Sequence, residues 1–172
     1  MSYQLVISRR YEATKATSDF PVLSEDFSKL DGMSYTLDSP YYFDGSYVDD
    51  ISHYTHINGW VVYGGALVAG MVGCKAESQL IYFVCTPVLD LSNGDATAKV
   101  YVKAVGEYKD RLRVQFGDEV QDLYFDENGQ IDGYVELHNL TQGSIYFYSY
   151  KGCEFYLDEV KSHSLSTLAT SW

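Results

Sequence analysis

Four carboxylates bracket the chain: Glu25 and Asp26 near its start, Asp158 and Glu159 near its end. Oxygen ligands of this kind suit calcium, a hard cation that gathers roughly six to eight of them. They could share an ion only where the first and last strands of a fold lie side by side; otherwise they are solvated acids at strand ends. A second acidic run, Asp126-Glu127-Asn128-Gly129-Gln130-Ile131-Asp132, carries oxygen side chains at alternate positions. It lacks the glycine placement and closing glutamate of an EF-hand loop, so it reads as a hairpin turn. His53 and His56, with Asp49 and Asp50 just before them, are zinc-type ligands. Their spacing would face both rings together only on a helix. Residues 51–57 make a poor helix, so both read as exposed loop histidines.

The aromatic residues suggest binding rather than bond-breaking. Tyr101, Tyr134, Tyr146, Tyr148 and Tyr150 take the phase opposite the apolar residues of their strands. Rings on a sheet face can stack on sugar C–H groups while the phenol hydroxyls bond to sugar hydroxyls. Tyr146, Tyr148 and Tyr150 repeat every second residue, which puts three phenols in line, and Tyr134 on the preceding strand shares their phase. With Tyr42 and Trp60 from the irregular segment upstream, Tyr134, Tyr146, Tyr148 and Tyr150 are the candidate ligand-binding residues. The competing reading has these tyrosines covering the sheet as a second core layer. For catalysis the chain offers Glu136, a mid-strand acid without an evident partner carboxylate. A triad from Cys85, His138 and an aspartate has no spacing to support it. The expectation is a protein that is not an enzyme.

Short strands must position these residues. Residues 80–85 (LIYFVC) have the composition of a strand buried on both faces. Thr86-Pro87 ends it, since proline cannot donate to a ladder. Residues 88–92 lead to Asn93-Gly94-Asp95, a turn in which glycine can take positive φ. Residues 98–105, 111–116, 134–138 and 144–150 alternate at the two-residue period, 120–125 is a return strand, and 154–161 is the last strand. Their inner phase assigns Val100, Val102, Leu112, Val114, Phe116, Val135, Leu137, Ile145 and Phe147 to the core. Upstream, 22–27 and 59–63 are strands, Gly64-Gly65 a hairpin or bulge, and 28–58 an irregular insert of a length more often functional than accidental. From this insert onward, residues 41–63 could fold over the tyrosine face as a lid or rim. About eight to eleven short strands without an amphipathic helix argue an all-β, antiparallel sandwich.

At 172 residues the chain suits one domain with a sizeable core. A net charge of −12 would repel an anionic duplex or membrane, so nucleic acid and membranes are poor partners. The charge serves solubility, or some of it holds a cation. Apolar runs are too short to span a bilayer. Cys74, Cys85 and Cys153 have neither metal-type spacing nor disulfide-scaffold density. Cys85 reads as a core residue, and a bridge from Cys74 to Cys85 or Cys153 stays open.

Three landmarks occur in fixed order: Ser24-Glu25-Asp26-Phe27, then Thr86-Pro87-Val88-Leu89-Asp90-Leu91-Ser92, then Phe155-Tyr156-Leu157-Asp158-Glu159-Val160. Gly59-Trp60 lies between the first two. In this the chain resembles the choice-of-anchor or cleaved-adhesin domains, relatives of MAM-type and galactose-binding-like sandwiches, over residues 23–161. The resemblance implies a jelly-roll β-sandwich from a secreted or surface-attached bacterial protein, in a family of adhesion and carbohydrate-binding modules. It also implies a structural calcium where the first and last strands meet, with Glu25 and Asp158 as the matching carboxylates. The long insert between Phe27 and Gly59 departs from the family pattern. The expected organisation is an N-terminal strand and linker over 1–20, the jelly roll over 21–161 and a tail over 162–172. Residues 2–10 lack the apolar run of a secretory leader, so Met1 reads as a start cut from a longer protein. The expected partner is a carbohydrate or an extracellular protein ligand; the alternative is a structural or adhesive spacer with no small-molecule site.

Overall fold

The computed structural model describes residues 19–45, 47–48, 50–90 and 97–165. Its strands are, in chain order, β1 (Asp19–Glu25), β2 (Tyr41–Tyr42), β3 (Tyr47–Val48), β4 (Val61–Tyr63), β5 (Gly65–Val68), β6 (Met71–Cys74), β7 (Phe83–Cys85), β8 (Leu89–Asp90), β9 (Thr97–Val105), β10 (Arg111–Phe116), β11 (Glu119–Tyr124), β12 (Gln130–Leu137), β13 (Gln142–Gly143), β14 (Tyr146–Ser149) and β15 (Phe155–Leu165). One short 3-10 turn, Ser28–Leu30, follows β1. The strands form two large antiparallel sheets. The seven-stranded sheet runs β12-β9-β15-β6-β5-β2, with β1 also paired to β15; the six-stranded sheet runs β11-β10-β14-β7-β4-β3. A small third sheet joins β13 to β8.

The two large sheets pack face to face as a sandwich, because each strand keeps its apolar side chains in one phase. From the seven-stranded sheet come Val100 and Val102 on β9, Val135 and Leu137 on β12, and Leu157 and Val160 on β15. From the other come Leu112, Val114 and Phe116 on β10, Phe147 on β14, Val84 on β7 and Val62 on β4. Every core residue expected from the sequence is buried, Ile145 included. Close approach between β6 and β15 demands a residue without a side chain at Gly73, where a Cβ would sit 1.8 Å from the Phe155 carbonyl oxygen.

Four expectations change. Residues 80–85 are not one buried strand: only 83–85 pair, and Ile81 is 64% exposed. Apolar composition without a ladder partner does not make a strand. The segment 28–58 is no loose insert either, since it supplies β2 to one sheet and β3 to the other and buries Leu30 and Ile51 in the core. The last strand runs past residue 161 to Leu165, paired with β1 on one side and β9 on the other. Residues 19 and 20, expected in the linker, already belong to β1. The strand expected over 2–8 and the turn at 93–95 lie outside the described residues.

Candidate functional site

The first and last strands are neighbours, as a shared ion would require, with Glu25 directly opposite Val160. The two carboxylates nevertheless look in opposite directions. Val160 is fully buried, and Glu25, on the same inner face, is 1% exposed. Asp158 lies where the β15–β9 register shifts between Leu157 and Glu159, and it pairs outward with Lys103, Oδ2 to Nζ 3.6 Å. Glu25 and Asp158 therefore do not fit a common calcium site.

Glu25 has a different task. Its Oε1 accepts from the backbone N–H groups of His56 (2.8 Å) and Ile57 (2.9 Å), and its Oε2 from that of Phe27 (3.1 Å). One buried carboxylate thus ties the 50s loop to the end of β1. It also fixes the turn in which Phe27 takes a left-handed φ of 54° and sets its ring edge-on against Trp60, 5.3 Å between centroids. Asp26 and His56 lie outside this knot with Glu25 near enough to form a group of potential ligand atoms. Their own contacts are local: Asp26 accepts from the Ser28 N–H, and the His56 ring lies 2.7 Å from Ser28 Oγ and 3.4 Å from Asp26. These Ser28 hydrogen bonds, then the His56 ring, hold the Asp26 carboxyl below its usual range.

The four tyrosines divide between the sheets. Tyr134 is on β12, in the seven-stranded sheet, whereas Tyr146, Tyr148 and Tyr150 belong to β14 and its end, in the six-stranded one. Both sets point outward, so they occupy opposite sides of the sandwich and cannot form one platform. Tyr134 lies against Tyr101 and beneath the Lys99 ammonium. The rest of that outer face satisfies itself: Tyr101 donates to Asp132 at 2.7 Å, and Lys161 pairs with Glu159 at 3.1 Å. Tyr42, on β2 of the same sheet, donates its hydroxyl to Glu154. Trp60 is fully buried and belongs to the core, not to a ligand surface.

On the outer face of the six-stranded sheet the rings continue from strand to strand. Tyr47 on β3 is cross-paired with Tyr63 on β4, Tyr63 with Phe83 on β7, and β7 lies beside β14. The ring centroids are 6.5 Å apart from Tyr47 to Tyr63, 5.7 Å from Tyr63 to Phe83 and 5.0 Å from Phe83 to Tyr146. Tyr47 is 59% exposed. Beyond this row stand Tyr148, whose hydroxyl donates to Gln115 at 2.7 Å, and Tyr150, which stacks under Arg111. Asp110, buried at the entry to β10, accepts from the Ser149 hydroxyl and the Lys151 N–H and so holds the turn that presents Tyr150.

The sequence reading missed Tyr47, Tyr63, Phe83, Arg111 and Arg113 as members of this face. The outward phase of Arg111 and Arg113 is visible in the sequence, but Tyr47 sits in the segment that reads as irregular, Phe83 in a run that reads as buried on both faces, and the neighbourhood β10-β14-β7-β4-β3 is not legible. Residues 41–63 do not fold over the face; Tyr47 and Tyr63 extend it. The remaining candidates stay apart. His53 packs on its neighbour Tyr54, away from the His56 contacts. Asp126 caps its own turn, accepting from the N–H groups of Asn128 and Gln130. Glu136 is exposed on β12. Cys85 and His138 belong to different sheets, His138 following β12. Burial pushes the Cys85 thiol up to about 11 and raises those of Cys74 and Cys153, and all three are free. Among the described residues no helix is long and apolar enough to cross a membrane. Compared with protein-family models and with curated protein sequences, the chain matches none.

Proposed function

We propose that the sandwich is a non-catalytic, extracellular jelly-roll module that binds carbohydrate on the outer face of the six-stranded sheet. The observation that carries this reading is the row Tyr47, Tyr63, Phe83 and Tyr146, four rings on four adjacent strands. Neighbouring rings are tilted by 50–66°, so the row offers apolar ring faces and edges with the hydroxyls of its three tyrosines at their rims, a combination that suits sugar rings. A row that crosses four adjacent strands also suits a polymer better than a single sugar. The cleft between residues 74–82 and 149–155, about 150 Å³, is smaller than a ligand pocket of ordinary size, roughly 300–1,000 Å³. The wider concavity at Val105, Tyr108, Asn128 and Tyr156, about 440 Å³, is open to solvent and belongs to the other sheet.

The test is retention of the protein on a panel of soluble polysaccharides in native gels. Tyr146→Ala and Tyr63→Ala are expected to weaken the retained polymer severalfold, since an aromatic contact contributes about 0.5–1.5 kcal/mol. Tyr134→Ala, on the opposite side, is expected to change nothing. Retention of no polymer, or an equal effect at Tyr134, would sink the proposal. The spacer alternative has one observation in its favour: the Tyr148 hydroxyl is already satisfied by Gln115.

A further inference from the structure

The aromatic face is not uniformly neutral. Arg111 and Arg113 project from β10 on that side, and Asp122, cross-paired with Arg113 from β11, is the carboxylate between them. On this side of the sheet both guanidinium groups share that one carboxylate, while Asp110, buried at the entry to β10, is turned to the Ser149 hydroxyl and the Lys151 N–H. The outer surface of this corner is therefore locally cationic in a chain whose net charge is −12.

The two arginines are not equivalent. Arg113 grips both oxygens of Asp122, Nε at 2.9 Å and Nη2 at 3.5 Å. Arg111 has no such grip. Its Nε lies 3.5 Å from Asp122 Oδ2 and is buried without a hydrogen bond, while Nη1 donates to the Tyr124 hydroxyl at 3.1 Å. Its guanidinium carbon sits 3.7 Å from the centre of the Tyr150 ring. A guanidinium stacked on an aromatic ring is held in one plane, and its edge matches the two oxygens of a carboxylate. The same side of the sheet carries Tyr148 on β14, cross-paired with Arg113 and adjacent to Tyr146 two residues away.

We infer that the carbohydrate taken by this face is acidic: a polyuronate whose sugar rings lie along Tyr146 and Tyr148 and whose carboxylate docks on Arg111. This presupposes the carbohydrate reading above and adds the charge of the ligand to it. Charge complementarity selects the occupant. The chain's −12 opposes any polyanion at long range, so the selection is local. Within a Debye length of about 8 Å Arg111 and Arg113 share a single carboxylate, and a uronate chain presents its charge there one carboxylate at a time.

The experiment uses the full chain and four probes: polygalacturonate, alginate, hyaluronate and dextran sulfate. Each of the three uronate polymers is also tested after its carboxylates have been reduced to primary alcohols. At least one uronate polymer is expected to bind and to weaken about tenfold on reduction, the scale of one charge-assisted hydrogen bond. Arg111→Gln is expected to lose about tenfold toward the acidic polymer and little toward its reduced form, with Arg111→Lys recovering part of the loss. Equal binding of acidic and reduced polymers, or preference for dextran sulfate over every uronate, would overturn the carboxylate while leaving carbohydrate binding intact. Retention of no polymer would remove both together. Should either Arg111 variant fail to fold, the wild-type comparison of acidic and reduced polymers decides by itself.

Discussion

Replacing Glu25 by alanine separates an ion ligand from a backbone clasp. The side chain is 1% exposed and accepts three backbone N–H groups, at 2.8, 2.9 and 3.1 Å. A hydrogen bond to a charged group contributes about 1.5–3 kcal/mol, so three of them set an upper bound of roughly 9 kcal/mol. The His56 and Ile57 donors sit in exposed residues and regain water when the carboxylate goes, which brings the expected loss down to about 3–5 kcal/mol. In a domain of this length about 3 kcal/mol corresponds to a fall in Tm of roughly 6–12 °C. Urea denaturation with an unchanged slope would report the same loss as a shifted midpoint. Asp158→Ala is the control: an exposed pair such as Lys103–Asp158 contributes only about 0–1 kcal/mol. The chelator EDTA is expected to leave the wild-type Tm where it was. If EDTA instead lowered the wild-type Tm to that of Glu25→Ala, or if both carboxylate variants lost stability equally, Glu25 would be a metal ligand and the clasp argument would fail.

Three further outcomes follow from the same geometry. Trp60→Ala should cost about 3–5 kcal/mol in denaturant, because a fully buried indole leaves a cavity beneath Phe27; a Tm within a degree of wild type would refute its core placement. Tyr146→Ala should weaken polysaccharide retention and lower stability far less than Trp60→Ala does, as its ring is partly exposed against Phe83. Stability should also fall between pH 9 and pH 11: the Cys85 pKa is raised to about 11, so its thiol keeps its proton in the folded state while the unfolded chain ionises from about 8.5. That contribution is present in full below pH 8 and is lost as pH rises through 11; Cys85→Ala, with its own lower baseline, should flatten this part of the profile.

Strand phase was readable wherever both faces of a strand had a defined fate. Val100 and Val102, Leu112 and Val114, and Val135 and Leu137 are all inward, as their alternation requires. What a period of two cannot say is which sheet a strand joins. Tyr134 and Tyr146 are outward on strands close in sequence, yet β12 and β14 lie in opposite sheets, so a shared phase puts them on opposite sides of the molecule. The same limit hid Arg111 and Arg113, whose outward phase was plain but whose neighbour Tyr150 arrives only because β14 pairs with β10. Leu80 and Ile81 fail for another reason: their composition is that of a core strand, but no strand among the described residues pairs with them and they stay exposed.

The landmark residues and the face residues divide the work between them. Glu25, Phe27 and Trp60 form one unit, a buried carboxylate that turns the chain so that one ring closes on another. Such a unit accounts for the clustering of those residue types without any ligand. The tyrosines and Arg111 of the six-stranded sheet lie over a core already filled by Leu112, Val114, Phe147 and Val84, and their contacts run along the surface, Tyr148 to Gln115 and Arg111 to Tyr124 and Tyr150. Substitution should therefore split cleanly, Glu25, Phe27 and Trp60 losing stability and the face losing binding. Trp60→Ala with unchanged stability and abolished binding would reverse that division and return the site to the residues where the sequence first placed it.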